Sequence, residues 1–237
     1  MPSIPVYGTK LTLEMLKNDL EPEQLKKANL KEIKAHTKIN FGKNSIFPIS
    51  VTHSIPDAVC FVLYTPDGAI VYTGDFVFDA TMQGAYKTDI GKLAYVGKQG
   101  VLCLMAESFY AEKEGHTSPS NRVAGFIREV LAKNPNRIIA TIFPAHFYRI
   151  QEMFNEVSKT HRKIVIMGKG LQDMINKAVD EGYLSVDKSR IGTLSDLENK
   201  DTVILISDEK EKPFNNLDRI IKGYDLSLIH ISEPTRR

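Results

Sequence analysis

The 237-residue sequence contains no tryptophan, only two cysteines and no excess of charge of either sign. Its 31 Lys and Arg residues nearly balance its 29 Asp and Glu residues, so the formal net charge is +2. This balance argues neither for nor against nucleic-acid binding, because a local basic channel is sufficient for that purpose. Cys60 and Cys103 lie in separate apolar segments and are predicted to be two buried, reduced thiols rather than a disulfide.

The sequence also shows no signal peptide and no apolar run long enough to span a bilayer, so we expect a cytoplasmic protein. Its hydrophobic content of 42% and charged content of 25% are those of an ordinary globular protein. At this length the chain can hold one large domain or two modest ones.

The first half of the sequence has a β pattern after a short helical start. Thr9 is placed to cap a helix that extends to Asp19. Residues 58–64 and 69–73 are apolar, partly β-branched runs joined by the turn sequence of residues 65–68. The continuous apolar run of residues 101–106 is predicted to be a strand buried on both faces.

The second half alternates strands with helices, which predicts a parallel α/β layer. The composition changes near residues 107–118, and we place a domain boundary there. Apolar stripes predict helices over residues 148–159 and 171–181, and a helix that opens at Ser118 and Pro119 with Phe126 on its apolar stripe. Residues 137–143, 163–167 and 202–207 are the predicted strands.

His53 and Asp75 are the candidate metal ligands of this chain. Each follows an apolar strand at the start of a polar turn, and a hairpin would bring the two strand ends to the same rim. Taken singly, His53 is more often a hydrogen-bonded structural residue and Asp75 a turn residue. Together they offer one imidazole and one carboxylate that can bridge two metals. A catalytic metal normally needs three or four protein ligands, so the pair is not a complete site.

Glu107 ends the apolar run of residues 101–106 and is predicted to lie on the same rim. There its carboxylate could orient a catalytic histidine, although a solvated strand-end glutamate explains it equally well. For His116 we favour an explanation by helix capping at Thr117 and Ser118 over a phosphate site. The segment Gly168-Lys-Gly170 is too short for a nucleotide-binding P-loop, and His161 is interpreted as part of a basic surface turn.

The motifs Val51-Thr-His-Ser-Ile-Pro-Asp57 and Thr73-Gly-Asp-Phe-Val-Phe-Asp79 resemble those of the ribonuclease J family. The likeness continues through Glu107-Ser108, Gly115-His-Thr-Ser-Pro-Ser120 and Arg149-Ile-Gln151 to about Tyr224. It implies an α/β protein with part of a metallo-β-lactamase αββα layer in residues 1–110. An incomplete, parallel α/β β-CASP domain would follow in residues 111–225.

The resemblance also implies a chemistry. His53 and Asp75 would bind two zinc ions, with Asp75 as the bridging carboxylate, and Glu107 would orient a downstream histidine. A metal-bridging hydroxide would then attack an RNA phosphodiester, in 5′→3′ exonucleolytic and endonucleolytic modes. The implied partners are RNA and a second subunit, either a copy of the same chain or a paralogue, and no membrane.

The sequence departs from the family pattern at several places. The family's His-x-His-x-Asp-His motif is absent, so we expect an internal fragment that is inactive alone. The usual Ser-Asn-x-His stands as Ala145-His-Phe-Tyr148, and Gly-Arg-Ser stands as Gly168-Lys-Gly170. The family's glycine-rich loop is replaced by the charged residues 207–213, which adds carboxylates near the expected path of the phosphates. Residues 226–237 are interpreted as a non-native tail, the translation of a sequencing-library adapter.

Three functions are compatible with this sequence. The first is an active RNA nuclease, and the second is a catalytically weak RNA-binding or partner paralogue in a ribonuclease assembly. A small-substrate hydrolase of the same fold is disfavoured, because it would not need the α/β layer that follows Glu107.

Overall fold

The computed structural model describes residues 4–109, 111–115, 122–207 and 213–222. The chain divides into two compact units between Ser120 and Asn121. The expected boundary at residue 110 lies close to this division, while the identity of the two domains given above stays a prediction. The predicted tail, His116 and the helix start at Ser118 and Pro119 lie outside the described residues.

A five-stranded sheet forms the centre of the first unit, in the order β3-β4-β5-β6-β7. Its pairs are antiparallel except for the parallel pair of β6 and β7. A separate parallel pair, β1 and β2, precedes it, with α1 and α2 between them. The elements are β1 (Pro5–Gly8), α1 (Lys10–Asp19), α2 (Pro22–Lys27), β2 (Asn29–Glu32), β3 (Ile39–Phe41), β4 (Asn44–Ser50), β5 (Val59–Thr65), β6 (Gly68–Tyr72), α3 (Ile90–Gln99) and β7 (Val101–Met105).

The predicted hairpin is present as β5 and β6. The Thr65 hydroxyl closes its turn by donating to the Gly68 carbonyl at 2.9 Å, and Gly68 has a φ of 144°, a value that L side chains rarely adopt. One face of β4, β5 and β6 packs against Val96 and Leu93 of α3 and forms the core of this unit. Cys60 lies in that core, as predicted.

The prediction that residues 101–106 are buried on both faces is wrong. The strand forms as β7, but all five of its residues are exposed, with Leu102 and Leu104 at 62% and 63%. The physical reason is that β7 lies at the edge of the sheet beside β6, whereas the core covered by α3 is built from β4, β5 and β6 and contains no residue of β7. Cys103 is therefore exposed, contrary to the sequence-based expectation.

The second unit is a three-stranded parallel sheet in the order β8-β10-β9, connected by helices. All four residues of the central strand β10 are buried, as expected for a strand with neighbours on both sides. The elements are α4 (Arg122–Lys133), β8 (Ile138–Thr141), α5 (Phe147–Ser158), β9 (Ile164–Met167), α6 (Lys169–Asp180), β10 (Val203–Ile206) and α7 (Pro213–Ile221). The predicted α/β class is confirmed.

The prediction that Phe126 lies on the apolar stripe of α4 is wrong. Ile127 and Leu131 of α4 are buried, whereas Phe126 is 66% exposed. An apolar residue at the border of a helical stripe can be buried or exposed, depending on which elements pack against the helix. Among the described residues, no helix combines the length and the apolar character needed to cross a membrane.

Candidate functional site

His53 lies just beyond the end of β4, in a segment that the backbone ties down on both sides. The Val51 amide donates to the Ala58 carbonyl at 2.9 Å, which folds the segment back toward β5. Asp57 completes this loop with a φ of 57°, an uncommon value for a residue other than glycine. His53 is itself partly buried.

Asp75 reaches the same rim from the end of β6. An isolated antiparallel bridge joins Thr52 to Val77, with the Val77 amide donating to the Thr52 carbonyl at 2.9 Å. Antiparallel register then sets His53 opposite Phe76, the neighbour of Asp75. The expectation that a hairpin joins the two strand ends is wrong. His53 follows β4 and Asp75 follows β6, and these strands flank β5 and run parallel to each other, so that their C-terminal ends lie at one edge of the sheet. A shared metal site of His53 and Asp75 stays a prediction.

Gly74 provides the sharp turn that leads into Asp75. Its φ of 60° is a left-handed conformation, and an added Cβ would meet nothing closer than the Val59 carbonyl oxygen at 4.0 Å. The glycine is therefore needed for its backbone conformation and not for space. The Asp75 side chain is exposed beyond this turn.

Glu107 lies beside the same turn. Its backbone amide donates to the Thr73 hydroxyl at 3.3 Å, and the Thr73 amide donates to the Met105 carbonyl at 3.1 Å. These two bonds hold the end of β7 against the residues that precede Asp75. The Glu107 side chain is exposed, and a role as an orienting carboxylate stays a prediction.

Two buried threonines support this rim, and the sequence analysis did not identify them. The Thr52 amide donates to the Thr88 hydroxyl at 2.8 Å, and the Thr52 hydroxyl donates to the Tyr86 carbonyl at 2.6 Å. Both threonine side chains are buried. Their only signal in the sequence is a hydroxyl residue next to a candidate ligand, which is too common to be informative.

The described residues do not form a complete metal site. No group of three or more His, Cys, Asp or Glu side chains among them is arranged to hold an ion. His53 and Asp75 have the donor types that zinc accepts, but two ligands are fewer than the three or four that hold it.

In the second unit, the segment Arg149-Ile-Gln151 has structural contacts within helix α5 and its surroundings. Arg149 donates to the buried Glu152 carboxylate at 2.5 Å. The Gln151 side chain donates to the Ser185 carbonyl at 2.9 Å and accepts from the Ser185 amide at 2.8 Å. Gln151 thereby fixes the backbone that follows α6. His161 is exposed and lies 3.2 Å from Asp201, which agrees with its interpretation as a surface residue.

Comparison with known proteins adds an independent observation. Residues 135–233 match the family described as "Ribonuclease J, beta-CASP domain". Over 206 residues the chain is 34% identical to "Ribonuclease J 2" from Staphylococcus aureus (strain NCTC 8325 / PS 47), and the same values hold for the protein of that name from Staphylococcus epidermidis (strain ATCC 35984). The matches cover 86% of this chain and 37% of each relative. The chain thus spans just over a third of the length of these relatives.

Among solved structures, a protein of unknown function from Enterococcus faecalis V583 has a similar fold. The two chains superpose with a TM-score of 0.66 at 16% sequence identity, over 97% of this chain and 62% of that one. At this identity the likeness concerns the fold alone.

Proposed function

Since the chain belongs to the ribonuclease J family, we propose that it forms part of an RNA-hydrolysing enzyme. The observation that carries the proposal is the shared rim, where the Thr52–Val77 bridge aligns the segments of His53 and Asp75. A histidine and a carboxylate at strand ends are the ligand types of a metal-dependent phosphodiesterase. The substrate class is RNA, in line with the family.

We further propose that His53 and Asp75 are two members of a zinc site, with Asp75 in the bridging position and Glu107 as a positioning carboxylate. Further ligands must come from groups other than the described residues, which hold no complete set. We propose that the 237-residue chain by itself is inactive as a nuclease, because the two candidate ligands among the described residues do not retain two metals. The small number of metal ligands among the described residues also favours a second candidate function, that of a catalytically weak RNA-binding subunit that acts with a paralogous or identical partner.

The test uses the purified chain and a short single-stranded RNA labelled at its 5′ end. Fluorescence anisotropy measures binding, and gel electrophoresis of the same RNA measures cleavage, with Zn²⁺ or Mn²⁺ present. We expect salt-dependent binding and an RNA of unchanged length. Absence of binding contradicts RNA as the substrate class, and cleavage that His53→Ala abolishes contradicts the statement that the chain alone is inactive.

A further inference from the structure

An open groove of about 900 Å³ runs between α3 and the strands β4 and β5 of the first unit. Three aromatic side chains, Phe47, Tyr64 and Tyr95, and two lysines, Lys38 and Lys92, are among its lining residues. Aromatic faces next to cationic side chains are the combination that binds single-stranded nucleic acids, because every base has a face that stacks and every linkage carries a negative charge.

The aromatic rings differ in how much of them a ligand could reach. Phe47 and Tyr64 are partly buried and pack on the core of the unit, which fixes their orientation. Tyr95 is 62% exposed, and its hydroxyl accepts a hydrogen bond from the side-chain Nε2 of Gln99 at 2.9 Å. Both phenols line the groove. Burial raises the pKa of Tyr64, and the neighbouring Tyr95 raises it further.

The charge of the groove is positive. The Lys38 ammonium lies 5.6 Å from the centre of the Tyr64 ring, and the described part of the chain shows no ion pair for either lysine. Asp89 is the one acidic residue of the lining, and its carboxylate is already engaged. One of its oxygens accepts the Lys92 backbone amide at 2.9 Å at the start of α3, and the other lies 3.3 Å from His36.

One end of the groove lies at the rim that carries His53. The Asp89 amide donates to the Ser50 carbonyl at 3.0 Å, three residues before His53. From Asp89 the groove follows α3 to Gln99, a distance of roughly 15 Å at the helical rise per residue. A stacked single strand of about four nucleotides would cover that length.

From these observations we propose that this groove binds a single-stranded segment of RNA adjacent to the rim, with a base stacked on Tyr95 and phosphates near Lys38 and Lys92. The inference rests on the proposed function and adds a substrate-binding surface to it. It predicts that affinity for RNA depends on the ring of Tyr95, a side chain that is not among the candidate metal ligands.

The experiment measures the anisotropy of labelled single-stranded RNA with variants of the complete chain. We expect Tyr95→Ala to weaken binding by about fivefold or more, the effect of losing one stacked base, and Tyr95→Phe to retain binding because the ring is kept. Lys38→Ala combined with Lys92→Ala should weaken binding and reduce its dependence on salt. Tyr72→Ala, an exposed tyrosine of β6, and Lys98→Ala, on the same helix but outside the lining, are the matched controls and should leave the affinity unchanged.

The outcomes separate this inference from the proposed function. If the unaltered chain binds RNA and Tyr95→Ala binds it equally well, the groove is excluded and the proposed function stands. If the unaltered chain binds no RNA, the inference about the groove and the proposed function are both contradicted. Sedimentation velocity tests whether a second copy of the chain occupies the groove in place of RNA. A dimer that Tyr95→Ala dissociates, with RNA binding unchanged, would show that it does and would overturn the inference.

Discussion

The hydroxyl of Thr88 and the backbone amide of Thr52 form a buried hydrogen bond of 2.8 Å between positions 36 residues apart. The Thr88 hydroxyl in turn donates to the Thr52 hydroxyl at 2.9 Å. Thr52 precedes the candidate ligand His53, and Thr88 precedes the helix that forms one wall of the proposed groove. The pair therefore ties the rim to the groove.

Replacing Thr88 by valine keeps the shape of the side chain and removes both hydrogen bonds. The Thr52 amide would then be buried without a partner, so we expect Thr88→Val to lower the free energy of unfolding by about 1–3 kcal/mol. Urea denaturation followed by circular dichroism measures the change. Thr37→Val, at an exposed residue of the loop before β3, is the control and should have little effect. Equal stability of the two variants would contradict the role of the pair.

Two glycines of the first unit should respond in opposite directions to the same substitution. Gly74 has a φ of 60°, so Gly74→Ala should destabilise the fold by about 1 kcal/mol through backbone strain alone. Gly97 lies exposed in α3 with free space around it, so Gly97→Ala should stabilise the protein by roughly 0.5–1 kcal/mol. Thermal unfolding of both variants gives the comparison. If Gly74→Ala is as stable as the parent or more stable, the turn before Asp75 does not need its left-handed residue.

The two cysteines should react with a thiol reagent at very different rates. Burial raises the pKa of Cys60 to about 11, which leaves little of the reactive thiolate at neutral pH, whereas Cys103 is exposed on β7. We expect one fast and one very slow reaction with Ellman's reagent in the folded protein. Cys103→Ser should remove the fast phase, and two slow phases in the unaltered chain would indicate that β7 is covered.

The acid stability of the second unit should depend on Glu156. Hydrogen bonds from Arg128 lower the pKa of this buried carboxyl from 4.5 to about 2, despite the opposing effect of burial. Because the folded pKa is lower than the unfolded one, the stabilisation is present above pH 4.5 and is lost as the pH falls toward 2. Glu156→Gln should therefore reduce stability at neutral pH by about 1–3 kcal/mol and remove this part of the acid dependence.

The measurement is the difference in unfolding free energy between variant and parent as a function of pH. The difference is needed because burial raises the pKa of Glu152 on the same helix, so that its contribution has the opposite sign. Glu129→Gln removes an exposed pair with Lys133 and serves as the control, for which we expect no measurable change. A difference that is constant from pH 5 to pH 2 would contradict the assignment.

The sequence was sufficient for those parts of the fold that depend on neighbours along the chain. The turn chemistry of residues 65–68 identified the hairpin, and the apolar spacing identified helices α5 and α6. Burial of β7 could not be predicted, because an apolar run looks the same in a central strand and at an edge. Phe126 shows the same limit for a helix, since its exposure depends on what α4 packs against.

The same distinction between local sequence and tertiary fold applies to the candidate site. His53 and Asp75 could be found because each follows an apolar strand, and strand ends converge on a rim. The contacts that hold the rim join Thr52 to Thr88, and those of the groove bring Lys38 over the Tyr64 ring. Such pairs are set by the tertiary fold and have no local pattern in the sequence.

The central claim is that His53 and Asp75 act together as metal ligands. A zinc titration of the purified chain, followed by NMR of its six histidine side chains, tests it most directly. We predict that the His53 resonances respond to zinc with weak affinity, that Asp75→Asn weakens this response severalfold, and that the control Asp67→Asn, in the hairpin turn, leaves it unchanged. A His53 signal that ignores zinc, or a response that Asp75→Asn does not alter, would contradict the claim.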